Sequence, residues 1–519
     1  MKGDNSAARY PGRDRRAVRH AAAGGAARLS GTKHVVVIGG GIAGIASATA
    51  LAERGVSVTL CEADPRLGGR VSAWPVANDR SMSRGFHAFF RQYYNLRALL
   101  KRVDPDLASL VPLDDYPLVR SNGMRESFRG LPTTPPFSFV EFVRRSPSFT
   151  ARSLLRVNLA AALELLRVEF PRTFAAYDGE SAEEFLDRLR FPRAARDLAL
   201  EVFARSFFAP PSDFGAGELV AMFHTYFLGS AEGLLFDVPV DDYQTALWKP
   251  LGDHLEGLGV RVRTSSHVNR IQLTGTGSSE SVDVFVGSER LTADAVVLAV
   301  DPRGARELID AVQVASAAAD RRWFDAVAAT VNAPPFVVVR LWFDQRVRSD
   351  RPAFLGTSGY GPLDNVSVLE RFEAGAARWT AQHHGSVVEL HGYACSAEVA
   401  ENNDAQRTVV FELEHQLHRV YPETLLFTPL FREVLVRDDC GLIGPQSWGS
   451  RPTVVTPWRS LVLAGDWVRC DFPVALMERA ATTGFLSANA LLAQWNVRGE
   501  DIWTVPMSGL LRFSKKAVR

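Results

Sequence analysis

The run from Val35 to Ala52 contains no charged side chain and is interrupted by three consecutive glycines, Gly39-Gly40-Gly41. Its length approaches the roughly 20 residues of a membrane-spanning helix, but glycine costs a helix about 1 kcal/mol relative to alanine. The run divides more naturally into strand, turn and helix, and no span is predicted. His34-Val35-Val36-Val37-Ile38 is β-branched in the manner of a buried parallel strand, Ile42 to Arg54 is an alanine-rich helix ended near Gly55, and Val56 to Cys61 is a second strand. Between the first two elements lies G-x-G-x-x-G. Gly39 permits the tight turn, Gly41 lets a pyrophosphate approach the backbone, and Gly44 lets helix and strand pack closely. Amides at the helix start, Ile42 and Ala43 included, hold an anion with the help of the helix dipole. Glu62 closes the second strand about 20 residues on, where its carboxylate can accept hydrogen bonds from an adenosine ribose. Glycine-rich turns of unrelated α/β proteins share the bare motif; the order strand, turn, helix, strand, acid carries the dinucleotide reading. FAD and NAD both use this half of a site.

With 519 residues the chain exceeds one hydrophobic core, so two or three domains, interleaved by insertions, are expected. A formal charge of +1 supplies no field for collecting nucleic acid, and none is expected as a partner. Cys61, Cys395, Cys440 and Cys470 lack CxxC or Cys/His ligand spacing, and His383-His384 and His391 have no acidic or Cys partner at ligand spacing. They read as surface or packing residues; no metal is predicted, and a reducing cytoplasm fits. The first 33 residues, Ala/Gly/Arg-rich and without an apolar run behind Arg15-Arg16, read as a disordered tail.

Arg66-Leu67-Gly68-Gly69-Arg70 resembles the glycine doublet of the flavin amine oxidase and carotene desaturase superfamily. There this segment passes close to pyrophosphate and flavin. Bare backbone at Gly68 and Gly69 and a guanidinium at Arg70 suit that role physically. Leu461-Val462-Leu463-Ala464-Gly465-Asp466 resembles the superfamily's C-terminal flavin motif, in which the Asp binds the ribityl chain. The following helix, read as opening at Pro473, points its N-terminus at the flavin edge where reduction places negative charge. Met477-Glu478 and Thr483-Gly484 match the motif; Arg479 departs from the glycine often found after Met-Glu. The resemblance thus implies FAD. It also assigns Val268, within a strand read as Val260 to Ile271, a backbone contact on the adenine side, where periodicity alone indicates plain sheet core.

Arg84-Gly85-Phe86-His87-Ala88-Phe89-Phe90-Arg91-Gln92-Tyr93-Tyr94-Asn95-Leu96 looks like the G-x-H-x-F-F-x-x-Y-x-N segment of phytoene and ζ-carotene desaturases. Together with Asp115-Tyr116-Pro117-Leu118 it more closely resembles the isorenieratene synthases of actinomycetes, the carotenoid φ-ring synthases. The resemblance runs from His34 to about Leu492. It implies aromatisation of a β-ionone ring in an apolar carotenoid, with a methyl group moving from C1 to C2. The ring gives up two hydride equivalents, and the quaternary carbon blocks the last double bond until a methyl leaves it. Hydride loss to oxidised flavin, a 1,2-methyl shift in the ring cation and proton loss complete the arene without a separate methyl donor. His87 is the candidate catalytic residue, as proton acceptor or cation partner; hydrogen bonding to backbone near the flavin is the equal alternative. Tyr93 or Tyr94 can serve the cation through cation–π contact.

A hydrocarbon substrate calls for an apolar tunnel, with which Phe203, Phe207, Phe208, Phe223 and Phe227 are compatible, although a Phe stripe is more often core. It also calls for a route from lipid. Phe137 to Tyr177 sets six arginines against three acids among aromatic and aliphatic residues, as a lid resting on a membrane would, and as an amphipathic helix packed on the protein also would. Trp503, Leu510, Leu511, Phe513, Lys515, Lys516 and Arg519 offer a weaker second anchor. The expected location is cytoplasmic, peripheral on the membrane face, with an unassigned electron acceptor for which a quinone is a candidate.

The expected architecture is α/β, α+β overall: a doubly wound, Rossmann-like FAD domain in discontinuous segments, a β-sheet substrate domain and a helical lid. The segments are a tail (1–33), FAD-binding parts (34–100, 246–305 and 441–496), a helical lid (101–245), a β-rich substrate domain (306–440) and a C-terminal tail (497–519). Rival readings are another flavin oxidoreductase of the superfamily, such as a phytoene desaturase or an amine or protoporphyrinogen oxidase, and a non-catalytic carotenoid-binding flavoprotein.

Overall fold

The computed structural model describes residues 14–77, 79–150, 155, 157–190, 207–274, 280–310 and 321–511. Its centre is a five-stranded parallel sheet in the order Arg261–Arg263, Ser57–Cys61, His34–Ile38, Ala295–Leu298, Leu461–Leu463. From His34–Ile38 the chain crosses to one neighbour through the helix Ile42–Glu53, whereas the strand on the other side arrives more than 200 residues later. That reversal of direction makes the carboxyl ends of His34–Ile38 and Ala295–Leu298 the ligand crevice of a doubly wound sheet. The helix Ile42–Glu53 is buried along nearly its whole length because it packs both on the sheet and on the C-terminal helix Leu476–Gln494. A Cβ at Gly484 would stand 2.3 Å from the Ala43 carbonyl, so the two helices meet almost backbone to backbone.

The stretch read as one strand from Val260 to Ile271 is two. Arg261–Arg263 forms the edge of the parallel sheet, and Val268–Thr274 begins an antiparallel sheet with Ser281–Val286 and Glu289–Ala293. Ser265, at φ +50°, turns the chain between them.

The second large sheet has seven strands, in the order Pro429–Arg437, Phe336–Phe343, Ser386–Gly392, Asn365–Val368, Phe354–Ser358, Leu118–Arg120, Arg125–Glu126. Its last two strands come from the 101–245 segment, read as helical lid and substrate part, which thus supplies strands as well as helices. Asn122-Gly123, with Gly123 at φ +86°, makes a hairpin turn, and Leu118–Arg120 then extends the sheet beside Phe354–Ser358. The proposed lid is likewise not one helix: Phe137–Arg145, Leu159–Glu164 and Arg172–Ala176 are separate. The reading of residues 1–33 as a disordered tail also needs correcting from residue 14 onward. Val18–His20 pairs antiparallel with Ile502–Thr504, and buried Asp14 accepts a hydrogen bond from the Ala231 amide. Neither segment shows this pairing by itself, because the partners lie far apart in sequence, His20 and Thr504 by 484 residues. Phe513, Lys515, Lys516 and Arg519 lie outside the described residues, as do Phe203, Arg152 and Arg156.

Candidate functional site

One cavity of about 560 Å³ opens at the switch point. Gly39, Gly41, Ile42 and Ala43 line it from the glycine turn, Glu62 and Val268 from neighbouring strand ends, and Gly68, Gly69 and Arg70 from the doublet. Gly465, Asp466 and Met477 close it from the C-terminal segment, and His87 stands toward the other end. Gly44 is one turn inside the helix: a Cβ there would lie 1.9 Å from the Gly39 carbonyl oxygen. The doublet is clamped onto the turn by the Gly68 amide, which donates to the Gly40 carbonyl at 2.8 Å. The Trp248 indole N–H donates to the Val71 carbonyl at 2.6 Å, and its ring fills the place a Gly68 Cβ would need, only 2.5 Å away. Gly68 is left-handed at φ +112°, so both conformation and space select glycine.

Glu62 accepts from the Gly40 amide at 2.5 Å and the Asp64 amide at 2.8 Å, and burial raises its pKa. Each carboxylate oxygen keeps a second acceptor direction, so a ribose hydroxyl fits there alongside the amides. Arg70 and Asp466, assigned from sequence to a phosphate and to a ribityl chain, are paired with each other through two parallel bonds of 2.8 and 2.5 Å. The pair ties the two ends of the FAD-binding sequence together across the cavity wall. A side-chain-free floor at Gly41 and Gly69 and an acid at the second strand end match what a dinucleotide requires. The C-terminal helix starts at Leu476, three residues later than the Pro473 reading. The chain first turns through Leu476 at φ +53°, and Leu476, Met477 and Ala480 face the cavity.

At the opposite end Phe86, Phe90, Tyr116, Tyr226, Phe236 and Phe354 replace glycine as the lining. Of the phenylalanines compatible with a tunnel, Phe208 alone among the described residues lines the cavity. Phe207 stacks on Phe214, and Phe223 and Phe227 stack on each other beneath Phe139. Their spacing marks lid core, as helical aromatic stripes usually do. Tyr93 lines the cavity with its hydroxyl engaged by Tyr226 at 2.8 Å; Tyr94 does not line it.

His87 lines the cavity next to Phe86. Its Nδ1 is 2.9 Å from the Gly85 carbonyl oxygen, which accepts only, so the proton sits on Nδ1 and Nε2 keeps its lone pair for the cavity. Its amide donates to the Tyr243 hydroxyl at 3.0 Å, which donates in turn to Gly85 at 2.9 Å. Burial holds the imidazole down at about 4, neutral at physiological pH. The backbone bond foreseen as the alternative to catalysis is present, and it fixes the tautomer a proton acceptor needs.

Sequence reasoning missed the Arg84–Asp439 ion pair at 2.5 Å and the polar trio Asp364, Asn365 and Tyr393, all lining the cavity. Nothing in their spacing signals a site, since the seven-stranded sheet brings them there. Lys249, exposed and paired with Asp253 at 2.6 Å, starts a helix and does not line the cavity. Among the described residues no group of three or more His, Cys, Asp or Glu is placed to hold a metal ion, and no helix is long and apolar enough to cross a membrane.

A dinucleotide cradle at a switch point, facing an aromatic chamber, defines a flavoprotein oxidoreductase. The chain belongs to the flavin containing amine oxidoreductase family, which it matches over residues 42–492, and FAD is the cofactor this cradle fits. More particularly, it is 52% identical over 504 residues to the carotenoid phi-ring synthase of Streptomyces griseus, covering 96% of this chain and 95% of that protein. It is 27% identical to the carotenoid phi-ring synthase of Chlorobaculum tepidum, covering 93% and 92%. Cyclohexylamine oxidase from Brevibacterium oxydans shares the fold at a TM-score of 0.64 and 15% identity, covering 89% of this chain and 99% of that one.

Proposed function

We propose that this protein converts a β-ionone ring of a carotenoid into an aromatic ring, moving one methyl group from C1 to C2. The observation that carries the reading is the 52% identity, spanning both cavity ends, to a carotenoid phi-ring synthase. The chamber agrees with it: a hydrocarbon ring offers no hydrogen-bonding handle, and the chamber meets it with ring faces. Bound FAD supplies the hydride acceptor. The chain's own residues exclude water, hold the ring and take protons. Each ring loses two hydrides and two protons, and His87 Nε2 is the acceptor we assign to the protons. A base held near 4 is weak, but a ring cation about to become an arene is a strong acid, and a neutral imidazole does not repel it. The aromatic faces stabilise the same cation. FAD-loaded protein given β-carotene and labelled S-adenosylmethionine is expected to yield an aromatic-ring carotenoid without label. A labelled ring methyl overturns the shift, and unchanged carotenoid overturns the reading.

Substrate entry rests on an exposed apolar surface. Phe137, Val140, Leu155 and Leu159 are 65%, 58%, 87% and 72% exposed, and Arg144 and Arg172 of the same stretch of chain are exposed as well. We assign this face to the cytoplasmic surface of the membrane, where carotenoid and a lipid-dissolved electron acceptor such as a quinone are both reached.

A further inference from the structure

Arg479 occupies the position where the family motif often has glycine, directly after Met477-Glu478. Its guanidinium lies behind the wall that Asp466, Leu476, Met477 and Ala480 present to the cavity. Nε donates to the Val474 carbonyl at 2.9 Å, Nη1 reaches the Asp466 carbonyl at 3.4 Å, and Nη2 bonds Glu218. The second oxygen of Glu218 lies 3.3 and 3.4 Å from the two terminal nitrogens of Arg451. The three side chains are 1%, 4% and 4% exposed. Two guanidiniums share one carboxylate, which leaves one positive charge in excess, out of water.

Charged groups nearby do not cancel it. Asp466 is already paired with Arg70, and burial leaves Cys470 a neutral thiol, up at about 11. Glu478, the other acid on this helical turn, is directed to the amides of Asn95 and Leu96 at 2.9 Å, and burial pushes it up to about 8. Burying an uncompensated charge is costly, and a hydrophobic side chain of similar volume would avoid that cost. The placement against the cavity wall gives the charge a use.

We propose that the Arg479–Glu218–Arg451 cluster is a positioning device that sets the oxidising power of the bound flavin. A fixed positive charge in a low-dielectric wall stabilises the negative charge that two-electron reduction leaves on the cofactor, more than it affects the neutral oxidised form. This deepens, and rests on, the reading above: a hydrocarbon ring is a reluctant hydride donor, so the acceptor must be strongly oxidising.

The test is the midpoint potential of FAD in the purified holoprotein, measured by reductive titration without carotenoid. Arg479→Met and Arg451→Met each remove the excess charge, and each is expected to lower the potential; Arg451→Met leaves the Glu218–Arg479 pair in place. Arg479→Lys is expected to keep the parent value, and Glu218→Gln, which increases the excess charge, to raise it. Both Met variants keeping the parent potential, Met and Gln variants moving the same way, or both Met variants losing FAD would overturn the proposal. The last outcome would make the cluster a structural brace. Because no carotenoid is present, such a failure leaves the ring-desaturation reading standing. Shifted potentials in a protein that leaves β-carotene unchanged would sink that reading alone.

Discussion

At the nucleotide end of the cavity the wall is backbone: a Cβ on Gly69 would stand 3.1 Å from the Gly41 Cα, and one on Gly39 would stand 2.4 Å from the Ala299 carbonyl oxygen. At the substrate end the wall is side chains. Phe86 and Phe354 have ring centroids 4.2 Å apart, Phe90 and Tyr226 4.5 Å, and Phe236 meets Phe86, Phe90, Tyr116 and Phe354 edge-on. The first end suits a charged pyrophosphate, whose tetrahedral phosphates demand close amides. The second recognises a ring with no polar atom. Intolerance of change should therefore be concentrated at the first, and graded effects on substrate at the second.

The largest effect is expected from Gly44→Val, whose side chain has no room beside the Gly39 carbonyl. Loss of the visible flavin spectrum in purified protein checks it, and full FAD occupancy would break the comparison. His87→Ala is expected to come next. It should retain FAD and lose turnover by about 10²- to 10⁴-fold, the usual worth of a positioned acid or base, in a single-turnover assay with β-carotene. Undiminished turnover would remove His87 from the chemistry.

The pH dependence sharpens the same point. Imidazole normally titrates near 6.5, and in the folded protein His87 is held at about 4. The neutral form is therefore favoured by folding, its contribution to stability is complete above pH 6.5, and it is lost as pH falls from 6.5 toward 4. If His87 Nε2 is the acceptor, the acid limb of kcat falls near pH 4. A limb at 6.5 that persists in His87→Ala would assign it elsewhere.

Phe354→Ala should cost about 3 kcal/mol in stability, as large-to-small aromatic changes do. It should also raise KM about tenfold while kcat changes little, the signature of lost uniform binding. FAD content should not change, and flavin loss would mean that the two ends are not separable. The smallest effect is expected at the outer face: Phe137→Asp with Val140→Asp should abolish liposome flotation and leave activity in detergent intact. Flotation equal to the parent would move the membrane contact away from this helix.

Legibility from sequence divides along the same boundary. The glycine turn, Glu62, the doublet and Gly465-Asp466 are local patterns, each specified by a conformation or close approach that only certain residues allow. His87 was readable as a candidate, though its tautomer was not, because the Gly85 carbonyl and Tyr243 that fix it meet only in the fold. The aromatic lining was not readable, and the reading of a Phe stripe as core holds for Phe207, Phe223 and Phe227. Phe207, Phe223 and Phe227 are as aromatic as Phe86, Phe236 and Phe354, and only packing separates core from chamber. The sequence held one unused signal, Asn122-Gly123, which marks the hairpin that extends the substrate sheet.

What the sequence alone determined is the dinucleotide cradle and, through resemblance around His87, the class of substrate, since both are written in short contiguous runs. What only the tertiary structure decided are the pairings across long separations: Arg70 with Asp466, Val18–His20 with Ile502–Thr504, and Arg479 with Glu218 and Arg451. The physical reason is that a charge or a strand edge in an isolated segment is satisfied by water. Burial removes the water, and the three-dimensional arrangement then dictates which distant group takes its place.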